Sequence, residues 1–152
     1  MTKVPGTYDD ANLILKLFEL RREERMRAAR KWVFSQPPFM SREQFLSVCP
    51  AGSEENASFR MVTSYWDMAA SFVVSGILNA DLFYRSNNGE LLYVWERIRR
   101  MVPALREAQK NPLAYHNIEE VANGFIKFYQ EHAPGYYENL AATVEKQAAP
   151  AR

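Results

Sequence analysis

The sequence predicts an all-α fold, a compact bundle of five to six helices packed mostly antiparallel. Three observations carry that prediction. Apolar residues recur at helical spacing, most cleanly at Leu91, Trp95, Ile98, Val102 and Leu105, in steps of four, three, four and three. Capping and stop residues stand at the ends of the apolar stretches. No segment sustains the period-two alternation of a half-buried strand.

The elements follow in order. Thr7 and Asp10 have the spacing of a capping box, and Asp9 and Asp10 suit the positive end of a helix. A first helix is therefore expected over residues 9–35, ending before Pro37 and Pro38. Its first half is apolar nearly all round (Leu13, Ile14, Leu15, Leu17, Phe18, Leu20), and its second half narrows to Met26, Ala29, Trp32 and Val33 among charges. Such a helix starts deep in the core and runs toward solvent. Ser41 and Gln44 form a second capping box, opening a short helix that ends before Pro50. Ser53, followed by Glu54 and Glu55, opens a helix to about Ser75, with Gly76 as its stop. Asn79 caps a short helical turn around residues 81–85, and Asn87, Asn88 and Gly89 make a turn. The Trp95 stripe belongs to a helix over residues 90–110 that Pro103 should bend. After Asn111-Pro112, a helix begins near Asn117 and presents Ile118, Val121, Ala122, Phe125 and Tyr129. Pro134-Gly135 ends it, a last helix covers 136–146, and residues 147–152 form a frayed tail. Residues 1–152 read as a single helical domain.

Composition narrows the function classes. Lys and Arg number 19 against 18 Asp and Glu, a net charge of +1, so an electrostatic nucleic-acid binder is not expected. A single cysteine, Cys49, allows no intrachain disulfide, and the N-terminal residues have no secretory pattern. The longest nearly apolar run, residues 68–78, is shorter than the roughly 20 residues a bilayer requires, so no membrane insertion is expected. These features fit a cytoplasmic protein. The six glycines are too widely spaced for a phosphate-cradling loop, and no Gly-x-Ser-x-Gly elbow occurs. His116 and His132 lack the Glu-x-x-His and His-Glu-x-x-His contexts of metal centres. His116 with Glu119, and His132 beside Glu131, are read as helix-end residues rather than ligands. No catalytic, cofactor-binding or metal-ligating residue and no cofactor is assigned.

One polar line crosses the greasy third helix: Arg60, Ser64, Asp67, Ser71 and Ser75. A partly buried Asp67 needs a cation. Arg22, which interrupts the apolar stripe of the first helix, is the natural partner, and Arg99 is the second choice. The same region could instead hold a pocket, with Tyr65 and Trp95 supplying rings beside Asp67 and Arg99. Two basic clusters, Arg21 to Lys31 and Arg97 to Lys110, are interleaved with acids and read as solvated faces with pairs such as Glu23 and Arg27.

The run Tyr65-Trp66, Phe72, Gly76-Ile77-Leu78, Asp81-Leu82-Phe83, Trp95-Glu96, Pro103 and Arg106, preceded by Ala28-Ala29-Arg30-Lys31, resembles a family of bacterial all-helical proteins of unknown function. The resemblance covers residues 13–106 and implies the helical fold. Many members carry one N-terminal membrane helix, which this sequence is expected to lack. The expected function is a non-enzymatic protein-interaction or self-associating module, acting on an unidentified protein partner or as a homodimer. Trp32, Phe34, Phe39, Tyr84, Tyr136 and Tyr137 are its candidate anchors. The alternative is a small-molecule binding or sensing bundle with an aromatic-lined pocket.

Overall fold

A computed structural model describes residues 3–87 and 89–147. Among them are nine helices: α1 (Tyr8–Arg21), α2 (Glu24–Ser35), α3 (Arg42–Val48), α4 (Glu54–Val74), α5 (Ala80–Ser86), α6 (Glu90–Ile98), α7 (Val102–Gln109), α8 (His116–His132) and α9 (Tyr136–Lys146). No strand occurs among the described residues, so the all-α class agrees with the sequence, while the count of five to six helices does not.

Two corrections account for part of the difference. The helix expected over 9–35 is two helices. Glu23 leaves helical geometry, with φ −57° and ψ 140°, and its carboxylate accepts the Met26 N–H at 3.0 Å. An acid with a short reach to its own backbone has capped a new helix in the middle of an otherwise helical stretch. The expected ion pair of Glu23 with Arg27 is absent among the described residues. The helix expected over 90–110 is likewise α6 and α7, not one bent helix. Pro103 has no N–H to continue the ladder, and it sits in the first turn of α7, where a missing donor costs nothing.

Local chemistry explains most other boundaries. The side chains of Thr7, Ser41, Ser53 and Asn79 each accept the backbone N–H three residues on. At Ser41 the box is not reciprocal, because the Gln44 side chain accepts from Met40 N–H instead. Asp10 does close its box with Thr7 and also accepts the Asn79 N–H at 2.8 Å, which ties the start of α1 to the start of α5. These two backbone donors, Asn79 first, hold the Asp10 carboxyl below its ordinary value of 3.8.

The centre of the fold is α4, which packs against α2 and α8, while α6 packs against α8 and α9. Phe59, Val62, Trp66, Ala69 and Ala70 of α4 are buried, as are Leu91, Leu92, Val94 and Ile98 of α6 and Ile118 and Phe125 of α8. Each large apolar side chain removed from water in this way stabilises by roughly 1.5–3 kcal/mol. The tail expected to fray begins at Gln147, whose side-chain oxygen accepts from Arg97 at 2.5 Å. The rest of that tail, 148–152, and Asn88 of the expected turn lie outside the described residues, as do residues 1 and 2 of the N-terminal reading.

Candidate functional site

The corner at Glu23 has a consequence for side chains. It leaves Arg21 as the last residue of α1, 7% exposed, with its Nη1 donating to Glu90 Oε2 at 2.7 Å. Arg30 of α2 reaches the same carboxylate as a fork, Nε to Oε1 at 2.7 Å and Nη2 to Oε2 at 3.0 Å. A third nitrogen of Arg30 donates to the Arg21 carbonyl at 3.3 Å and so satisfies one of the orphan acceptors at the end of α1. Glu90 is the first residue of α6, where the positive end of the helix favours a carboxylate. One acid thus joins α1, α2 and α6 through two guanidinium groups.

Rings pack around the bridge. The Arg21 guanidinium lies 4.9 Å from the Phe18 centroid and 5.2 Å from that of Trp66, and Arg22 lies 4.6 Å from Phe18. Arg21 Nε is buried without a hydrogen-bond partner. The Tyr65 hydroxyl donates to the Leu17 carbonyl at 2.6 Å, within electrostatic reach of Arg21, Glu90 and Arg30. Burial pushes its pKa up to about 12.

A cleft of about 230 Å³ opens over this bridge, lined by Phe18, Arg21, Arg22, Arg30, Ser86, Asn87 and Glu90. It adjoins two further hollows through Arg30, one reaching Tyr93, Arg97 and Gln147, the other Glu24, Arg27 and Lys31, with Phe34 between them. Six cationic side chains and only two carboxylates line the three hollows, a segregation of charge on a chain whose net charge is +1. Arg22, Arg27 and Lys31 are exposed, and among the described residues no ion pair engages them.

Arg97 closes one end of this face. It is 2% exposed, and it donates to the carbonyls of Gln36, Tyr93 and Phe34 at 3.1, 2.8 and 3.0 Å. Two of those carbonyls lie at the negative end of α2, where a cation is favoured. Burial lowers its pKa to about 10, and it stays charged at neutral pH.

The residues singled out in the sequence do not gather into one pocket. Arg22 lines the cleft instead of meeting Asp67. Asp67 accepts from Asn117 Nδ2 and from the Ile118 N–H, both at 3.3 Å, in the first turn of α8. Arg99 donates to Glu96, a buried acid that also accepts from the Tyr137 hydroxyl at 2.5 Å. Trp95 is buried in the core. The donors at the start of α8 satisfy Asp67 without an arginine.

The expected aromatic anchors divide in the same way. Phe39 is buried against Phe45 and Phe59, with centroids 5.3 and 5.9 Å away, and is no anchor. Tyr84 packs on Phe125 and Phe128, Tyr136 on Tyr129, and Tyr137 is held by Glu96. Trp32 borders a separate hollow between α2 and α4. Only Phe34 lines the cationic face, with Arg97 over its ring at 5.3 Å. Sequence reading missed Arg21, Arg30, Glu90 and Arg97 as a set. The available signals were Arg21 standing one turn after Leu17 on the inward face, and an acid directly after the Asn-Asn-Gly turn. His116 pairs with Glu120 at 3.6 Å, and among the described residues no cluster of His, Cys, Asp and Glu could hold a metal ion.

Fold and site together define an all-helical domain built around an arginine–glutamate–arginine bridge under a basic cleft. A protein-family model described as Domain of unknown function (DUF4760) matches residues 7–125, and the chain belongs to this family. The match runs from the cap of α1 into α8 and takes in every residue of the bridge. No curated protein and no solved structure matches the chain. No helix among the described residues is long and apolar enough to cross a membrane.

Proposed function

We propose that the chain is a non-enzymatic interaction module that docks a partner protein on the face shared by α1, α2 and α6. One observation carries the reading: Arg22, Arg27 and Lys31 stand exposed and, among the described residues, outside any ion pair, beside a frame tied together by the buried bridge. Arginine is enriched in protein interfaces because its planar fork binds at a small entropic cost. A two-fold homodimer through this face would set each basic patch against its own copy, which like charge opposes. The partner on this face is therefore a different chain, and self-association would use another surface. We place the module in a bacterial cytoplasm, a reading that the single, buried thiol of Cys49 supports.

The test is a photo-crosslinking amino acid placed at position 27 in cells of the source organism, with exposed Met68 of α4 as the control position. A discrete heavier adduct at position 27 and none at position 68 is the expected result. No adduct at position 27, or the same adducts at both, overturns the reading.

A further inference from the structure

Resting on that reading, we propose that the segment this face receives is an acidic peptide whose carboxylates pair with Arg22, Arg27 and Lys31. Charge is the first argument. The hollows hold six cations against Glu24 and Glu90, and Glu90 is already shared by Arg21 and Arg30. Glu23, the acid expected to pair with Arg27, caps the Met26 N–H, and among the described residues it makes no ion pair with Arg27. The hollows therefore carry more cationic side chains than carboxylates.

Spacing is the second argument. Arg27 and Lys31 are four residues apart on α2, so their stems leave one helix face about 6 Å apart. Alternate residues of an extended peptide are about 6.6 Å apart. Acids at every second position of an extended segment thus match the spacing of Arg27 and Lys31, while Arg22 lines the adjoining cleft that shares Arg30 with theirs.

The rings decide against a nucleic acid. Single strands are held by bases stacking on open aromatic faces. Here the Phe18 ring carries two guanidinium groups, and the Phe34 ring carries Arg97 and forms a T-shaped pair with Tyr93. Glu24 and Glu90 also interrupt the track, which repels a continuous line of phosphates and leaves room for separated carboxylates.

The experiment measures fluorescence anisotropy of a labelled hexapeptide of alternating Glu and Ala on the full chain, against the same peptide with Gln for Glu. The Glu peptide is expected to bind and the Gln peptide not to bind. Raising the salt from about 0.05 M to about 0.5 M should weaken the complex. The double reversal Arg27→Glu with Lys31→Glu, at exposed positions and with an unchanged melting curve, should weaken it by about tenfold or more. Arg22→Glu, on the other side of the corner, provides a second variant with the same expectation. Equal binding of the Glu and Gln peptides, indifference to all three reversals, or tighter binding of a single-stranded oligonucleotide overturns the inference. Crosslinks at position 27 together with equal peptide binding would remove the acidic partner and leave the interaction module standing. Peptide discrimination without crosslinks would remove the module's cellular role and leave the chemistry of the cleft standing.

Discussion

Glu90→Gln is the substitution that most directly probes the bridge. It keeps the shape of the side chain and one acceptor oxygen, and it removes the charge. At the effective dielectric of a protein near its surface, each guanidinium–carboxylate pair at about 4 Å between charge centres is attracted by about 4 kcal/mol. Most of that is offset by the cost of drying the groups, so the cost must be judged from what is left behind. Arg30 has a side chain 28% exposed and can turn to water. The Arg21 side chain is 9% exposed, is wedged between Phe18 and Trp66, and cannot. Removing one member of a buried pair costs about 3–5 kcal/mol, and relief at Arg30 reduces this to about 2–4 kcal/mol. For a chain of this size that is a fall in Tm of roughly 5–15 °C. Thermal unfolding followed by far-ultraviolet circular dichroism reads it directly. Combining Glu90→Gln with Arg21→Met should recover part of the loss, because no unpaired cation then remains beside the rings. A fall of under about 2 °C for Glu90→Gln, or a double variant worse than the sum of the singles, refutes the reasoning.

Other consequences of the packing are open to the same instruments. Arg97→Lys should destabilise by about 2–3 kcal/mol in urea titration, because one ammonium cannot span the carbonyls of Gln36, Tyr93 and Phe34. Gly124→Ala should destabilise by about 1–3 kcal/mol although alanine favours helix, since its Cβ would stand 2.0 Å from the Tyr84 hydroxyl oxygen. With Tyr84→Ala already in place, the same change should stabilise by about 1 kcal/mol, and an unchanged sign would disprove the close approach. Asp10→Asn should destabilise near neutral pH by a margin that closes in acid. The folded-state pKa of Asp10 lies below 3.8, so its contribution is complete above that value and is lost as pH falls through the lowered one. A difference in Tm between the two proteins that stays constant down to about pH 2 would contradict this.

Much of the chain's local structure could be read from neighbours in sequence. Thr7, Ser53 and Asn79 cap helices where their spacing to the next N–H groups said they would. Gly76 takes a left-handed φ of 82° just past Ser75, the C-cap of α4, and Gly135 one of 93° before α9. The apolar start of α1, expected deep in the core, leaves Leu15, Phe18 and Leu20 exposed, and two of the helix boundaries fail for one shared reason. At Glu23 and at Pro103 the apolar period continues through a break, so periodicity merged two helices that a single cap or a single missing donor separates.

The candidate site was not legible in that way. In the sequence Arg21 stands in a mixed-charge stretch, Arg30 in that stretch and in the run Ala28-Ala29-Arg30-Lys31, and Asp67 on a polar line across an apolar helix. The Arg21–Glu90 and Arg30–Glu90 bonds join residues 69 and 60 positions apart. No pattern within a few turns encodes which distant carboxylate a guanidinium will meet.

What the sequence by itself determined is the helical class, most of the caps and which residues carry apolar stripes, because each depends on contacts within about four residues. Only the tertiary structure decided that α1 turns at Glu23, that one glutamate serves two arginines, and that Arg22, Arg27 and Lys31 stay outside the ion pairs of the described residues. The physical reason is that burial and charge pairing are set by which helices pack together. That packing minimises exposed apolar surface over the whole chain at once, and the partners of charged groups follow from it.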